Sequence, residues 1–247
     1  MPNRATVLEM ILLALLGLVA GVLTTVAGMG GGLFLLVALG LVYGPHVALV
    51  VTTPALLVSN LHRGWLFRTE IDWRLSRLIA MGVIPGAIVG ALILPGLPAM
   101  VVATLFTAST VFAMLRATGR ITLAPQPRWI TAYSFAIGAL AATSGGAGML
   151  IAPLVLCSGA SGGRYVATVA IGAVAMHLAR VIGYGSVGLL VPAHLLDAAV
   201  ILGGLLAGNL VGLRLRPRVG PRTERSIELG ALLVANLFAI AAVVRGA

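Results

Sequence analysis

The chain of 247 residues contains no lysine, a single cysteine and six acidic residues; charged residues make up only 9% of it and aromatic residues 5%. A soluble domain carries roughly 25% charge, so the shortage excludes an ordinary water-exposed globule. The lone Cys157 sits in an apolar segment and has no intramolecular partner, which excludes a disulfide framework. Without lysine there is no G-x-x-x-x-G-K-[ST] phosphate loop, so nucleotide-driven transport is not encoded and no nucleotide partner is expected. Four scattered histidines and one cysteine give no metal-ligand spacing. No cofactor is expected either.

What is present is apolar: hydrophobic residues are 60% of the sequence, and mean hydropathy is +1.12. Uncharged runs of 16 to 18 residues recur at Met10–Ala27, Leu78–Leu94, Ala99–Leu115, Ala198–Leu213 and Leu229–Val244, near the lower end of the roughly 17–25 residues that span a bilayer. They are apolar on every face, which excludes the alternating pattern of barrel strands. The expected fold class is an all-α, multi-pass integral membrane protein. The first run lacks a clustered basic region and continues into further apolar sequence, so it reads as part of the mature chain. The sixteen arginines, which give a net charge of +10, lie between apolar spans rather than on one soluble surface with interleaved aromatics. Their role is orientation, and nucleic acid is not an expected partner.

Two glycine-rich stretches interrupt the apolar pattern. Ala27-Gly28-Met29-Gly30-Gly31-Gly32 lies within a charge-free run from Met10 to His62, and Thr143-Ser144-Gly145-Gly146-Ala147-Gly148 lies within another from Trp129 to Gly163. Glycine is costly inside a helix, and backbone that leaves the helix within lipid must find partners in protein or a water-lined cavity. Broken segments at corresponding places in two halves are the sequence pointer to a transporter's binding site. Small-residue helix packing is the other reading, but it favours spacings of four, as at Gly82, Gly86, Gly90 and at Gly204, Gly208, Gly212.

At an offset of 117 residues, Gly28 falls on Gly145, Gly31 on Gly148 and Arg63 on Arg180. This divides the chain into a first repeat 1–118, a basic linker 119–128 and a second repeat 129–247. Segment 62–77 is basic and reads as a loop, whereas its counterpart near 184–194 has no arginine; loop 95–98 is neutral, whereas 214–225 has five arginines. That opposition is what the positive-inside rule predicts for inverted repeats with broken or re-entrant helices at the glycine stretches. Both termini are then expected on the outer side.

The candidate binding residues follow. The amides of Gly28, Gly30, Gly31, Gly32, Gly145, Gly146 and Gly148 would point at an anion from half-helix N-termini. Thr52, Thr53 and Ser144 offer hydroxyls, although Thr52 and Thr53 could equally satisfy carbonyls freed by Pro54. Arg180 lies on the side where a positive-inside role does not apply, and its planar fork suits sulfonate, carboxylate or phosphate. Arg63, beside a basic loop, has two readings, a positive-inside anchor at the cytoplasmic boundary and a functional one like that of Arg180. His177 precedes Arg180 by one turn as Asn60 precedes Arg63; a membrane histidine there is either a proton relay, with protons as coupling ion, or a hydrogen-bonded core residue.

In the order of these features the chain resembles the sulfite exporter TauE/SafE family of bacterial membrane permeases. The resemblance rests on Ala27–Gly32, the turn at Gly44-Pro45, the helix Ala48–Asn60 with Thr52-Thr53, Ile71-Asp72, Gly82–Gly90 and the echo Ser144–Pro153. The chain departs from the family in having Leu36 where the second half has Pro153. The resemblance implies a secondary transporter, described for the family as an exporter, of small sulfur-containing anions such as sulfite or organosulfonates such as sulfoacetate. It also implies the bacterial cell inner membrane. A passive anion channel of the same architecture is the rival. An intramembrane enzyme would need a nucleophile and base brought together, and no motif does so.

Overall fold

The computed structural model describes residues 7–28, 30–121 and 126–244; Met29 in the first glycine stretch and 122–125 in the middle linker lie outside them. All regular elements among the described residues are helices. In order they are α1 (Val7–Ala27), α2 (Gly31–Tyr43), α3 (Pro45–Leu66), α4 (Trp73–Ile93), α5 (Ala99–Ala117), α6 (Ile130–Ser144), α7 (Ala147–Leu156), α8 (Gly162–Ser186), α9 (Pro192–Leu215) and α10 (Pro221–Val244). Five of them, α1, α4, α5, α8 and α9, contain segments long and apolar enough to cross a membrane. By contrast α2 and α7 have 13 and 10 residues, about 20 and 15 Å at 1.5 Å per residue. Neither reaches across a hydrocarbon core of about 30 Å.

The helix boundaries follow from local chemistry. Pro45 and Pro192 occupy first-turn positions of α3 and α9, where a missing N–H costs nothing. Asp72 caps α4, its Oδ1 accepting from the Leu75 amide at 3.0 Å. Its Oδ2 accepts from Arg164 Nη2 at 2.6 Å, tying the link before α4 to the start of α8.

Segment 62–77 is not the loop that its charge density suggests. Helix α3 continues through Leu66 and α4 begins at Trp73, with a short turn of 3-10 helix between them. His62 and Arg63 have partners inside the protein, so the helix carries them inward rather than ending at them.

Direction can be read from the glycine stripes. Gly17 abuts Ile201, Gly21 abuts Leu205, and Thr25 bonds Asn209, so α1 and α9 run parallel in constant register. Gly82, Gly86 and Gly90 abut Thr131, Phe135 and Ala139, so α4 and α6 also run parallel. The added Cβ atoms would meet backbone carbonyls of the facing helix; only glycine permits this approach. Along α8, Gly172 faces Ile79 and Gly183 faces Ala91, so α8 runs with α4. It runs against α3, where Gly64 meets Ile171 and Leu49 meets Arg180. The packing pairs repeat: α1 on α9 and α6 on α4, α3 on α9 and α8 on α4, with α3 and α8 crossing in the middle.

Candidate functional site

The two glycine stretches are both breaks. After α1 ends at Ala27 the chain takes φ of +78° at Gly28 and +93° at Gly30; after α6 ends at Ser144 it takes +75° at both Gly145 and Gly146. Such angles cost an L-residue roughly 1–2 kcal/mol. Space adds a second demand at Gly145, where a Cβ would collide with the Leu36 side chain.

Each break exposes a helix start. Helical bonding in α2 begins with Phe34 N–H donating to Gly30 O at 2.9 Å, and in α7 with Met149 and Leu150 donating to Gly146 O at 3.0 Å. The amides of Gly31, Gly32 and Leu33, and of Ala147 and Gly148, therefore precede the ladder and carry the positive end of the dipole.

Both helix starts border one cavity, which also takes in the α3–α8 crossing. About 40 Å³ is open to the centre of a water molecule, room for about three waters. Of the residues expected to bind, Gly28, Gly30, Gly32, Thr52, Asn60, Gly145, Gly146, Gly148, His177 and Arg180 line it. Three do not. Gly31 packs against Ala20 and Thr24 of α1, Thr53 turns its hydroxyl to Leu49 O at 2.6 Å, and Ser144 Oγ donates to Leu140 O while accepting from Ser109 Oγ. Thr52, although it lines the cavity, donates to Ala48 O at 2.7 Å.

Arg63 is the larger surprise. It lines the cavity and is 3% exposed, so the reading of it as a boundary anchor is wrong. Its Nη2 donates to Asn60 Oδ1 at 2.6 Å and its Nη1 to Thr24 O at 2.8 Å, in the last turn of α1. The Nε has no partner among the described residues. The sequence did hold a signal, the Asn60-x-x-Arg63 spacing that matches His177-x-x-Arg180, but the arginines around it masked its depth.

Arg180, 1% exposed, is arranged similarly. Its Nη2 donates to Leu49 O at 3.2 Å, its Nε to the Tyr184 hydroxyl at 3.1 Å, and its Nη1 lies 3.5 Å from His177 Nδ1. Tyr184 in turn donates to Ala142 O, in the last turn of α6. Pro54 removes one N–H from the α3 ladder, and Leu49 O, in the turn before it, takes both Thr53 and Arg180. Each arginine thus braces the end of a broken helix, directly for α1 and through Tyr184 for α6.

Thr24, Leu33, Leu36, Leu56, Ala147 and Met149 complete the lining. Of these, Thr24, Leu33 and Leu56 carried no sequence signal beyond belonging to apolar helices. No carboxylate is among the described lining residues. Among the described residues, two fixed cations and two helix starts therefore border a space lined by no acid.

A family model described as Sulfite exporter TauE/SafE matches residues 13–239. The chain belongs to this family. The match spans both breaks and both buried arginines, and it identifies a membrane transporter family. No curated protein and no solved structure matches the chain.

Proposed function

We propose that this family member is a secondary carrier that exports small sulfur-containing anions across the bacterial inner membrane, with the cavity between the two breaks as its binding site. The observation that carries the reading is the electrostatic one-sidedness of that cavity. Helix starts from α2 and α7 and the guanidiniums of Arg63 and Arg180 converge there, with no carboxylate among the described lining residues. Anions are stabilised by each of these elements. The size favours a four-atom oxyanion such as sulfite over sulfoacetate, which the cavity would have to widen to admit.

The carrier is built, in this reading, of two inverted repeats, 1–118 and 129–247, joined by 119–128. Helix directions support it: Ser59 meets Asn209 and Phe67 meets Arg216, so α3 runs with α9 and α1, whereas α4, α6 and α8 run the other way, and each helix opposes its counterpart 117 residues away. Doubling back at the breaks supports it too. Gly31 begins α2 beside Ala20 and Thr24 of α1, and Leu154 near the end of α7 shares a cleft with Ile130 at the start of α6. Proton coupling through His177 finds no support in its surroundings, which offer no carboxylate to hand the proton on.

Purified protein in liposomes preloaded with unlabelled sulfite tests the proposal. A carrier accumulates labelled sulfite transiently against the preload, and a channel of the same shape does not. Absence of this overshoot, with flux present, would replace the carrier by the channel.

A further inference from the structure

We infer that the cavity is built for an anion bearing two negative charges, one for each buried guanidinium, an inference that rests on the anion-carrier reading and specifies its substrate by charge. Arg63 and Arg180 are 3% and 1% exposed, and a guanidinium stays protonated in proteins. Every protein partner they have is neutral: the Thr24 and Leu49 carbonyls, the Asn60 amide oxygen, the Tyr184 hydroxyl and a ring nitrogen of His177. The acids with described side chains, Glu9, Glu70, Asp72, Asp197 and Glu224, all lie outside the buried interior.

Buried charges are otherwise paired. Here two like charges border one small space, and the counter-charge must arrive with the ligand. A monoanion leaves one guanidinium uncompensated in low dielectric, whereas a dianion cancels both. Arg63 Nε is buried and has no hydrogen-bond partner among the described residues. Helix starts add only partial charge at each break, so the integer count is set by the two side chains.

Thiosulfate and methanesulfonate make the test, because each is a sulfur bearing three oxygens and one further heavy atom, while their charges at pH 8 are two and one. Competition binding to purified wild-type protein at fixed ionic strength should show thiosulfate held at least about tenfold more tightly, the scale of one charge-assisted hydrogen bond. In Arg63→Gln that preference should shrink towards parity, and in Arg63→Lys, which keeps the charge, it should persist. Exchange of thiosulfate for thiosulfate in liposomes should be unchanged by a valinomycin-imposed potassium potential, because the loaded cavity is neutral. Equal affinity of wild type for both anions overturns the inference while leaving an anion carrier in place, as does an undiminished preference in Arg63→Gln. If neither anion binds, nor sulfite, the carrier reading itself falls. Should Arg63→Gln fail to fold, Arg180→Gln takes its place beside the wild-type comparison, with the same outcomes supporting or overturning the inference.

Discussion

At the scale of the residue, spacing in the sequence located contacts better than it located depth. His177-x-x-Arg180 and Asn60-x-x-Arg63 form side-chain pairs at 3.5 and 2.6 Å, as residues one turn apart should. Burial of Arg63 was hidden because the neighbouring Arg68, Arg74 and Arg77 do lie outside the core. Its carbonyl partner, Thr24, comes from 39 positions earlier, a separation that local pattern cannot see. Arg180 offers the sharpest test. Arg180→Ala removes a fork whose charged hydrogen bonds are worth about 1.5–3 kcal/mol each, so sulfite uptake into liposomes should fall about ten- to a hundredfold. Arg180→Lys keeps the charge but not the planar donors and should fall between the two. Unchanged uptake in both variants would remove Arg180 from the site.

Asp72 gives a residue-scale prediction outside the membrane. The Leu75 amide first, and then Arg164, hold its carboxylate below the ordinary value. A lowered folded value means that the ionised group stabilises the fold above the unfolded value of about 3.9 and loses that contribution as pH falls through the folded one. Asp72→Ala should therefore cost about 1 kcal/mol at neutral pH, the worth of a helix cap. The gap in melting temperature from wild type should narrow as the pH is taken below about 3.9. A gap independent of pH would assign the effect to packing alone.

At the scale of the element, glycine does two different jobs, and its spacing separates them. Runs of adjacent glycines mark the breaks before α2 and α7, whereas glycines four apart mark the seams between α1 and α9 and between α4 and α6. Both were legible, since one offends helix propensity and the other follows helical period. The extent of α3 and α4 was not legible, because a cluster of charge suggests a helix end when the buried arginine instead lies inside one. The seams predict a contrast. A Cβ at Gly86 would run into the Phe135 carbonyl, whereas Gly203 has nothing within 4 Å. Gly86→Leu should therefore lower the melting temperature in detergent or abolish a monodisperse peak, an overpacking cost of at least about 1–3 kcal/mol. Gly203→Leu should leave both nearly unchanged. If the two variants behave alike, the close approach of α4 and α6 is not what holds that seam.

At the scale of the whole molecule, the direction of helices and the placing of arginines are independent observations that agree. The links after α3 and after α9, residues 67–72 and 216–220, contain arginine, at Arg68 and at Arg216 and Arg218, and follow helices that run the same way, Ser59 meeting Asn209 and Phe67 meeting Arg216. The links after α4 and α8 are free of arginine and follow helices that run the other way. Under the proposed inverted repeat, the positive-inside rule would put the first two links in the cytoplasm and the second two outside. Single cysteines in a Cys157→Ser background, probed with a membrane-impermeant maleimide in intact cells, separate this arrangement from a parallel repeat. Gly96→Cys and Ser186→Cys should label at once, whereas Thr69→Cys and Gly220→Cys should label only after the membrane is opened. Positions 69 and 186 decide the matter, being 117 residues apart and so matched under the repeat: a parallel repeat labels them from the same side, an inverted one from opposite sides. Labelling of both in intact cells would overturn the proposal that the two halves are inverted repeats, and the helix directions would then need another account.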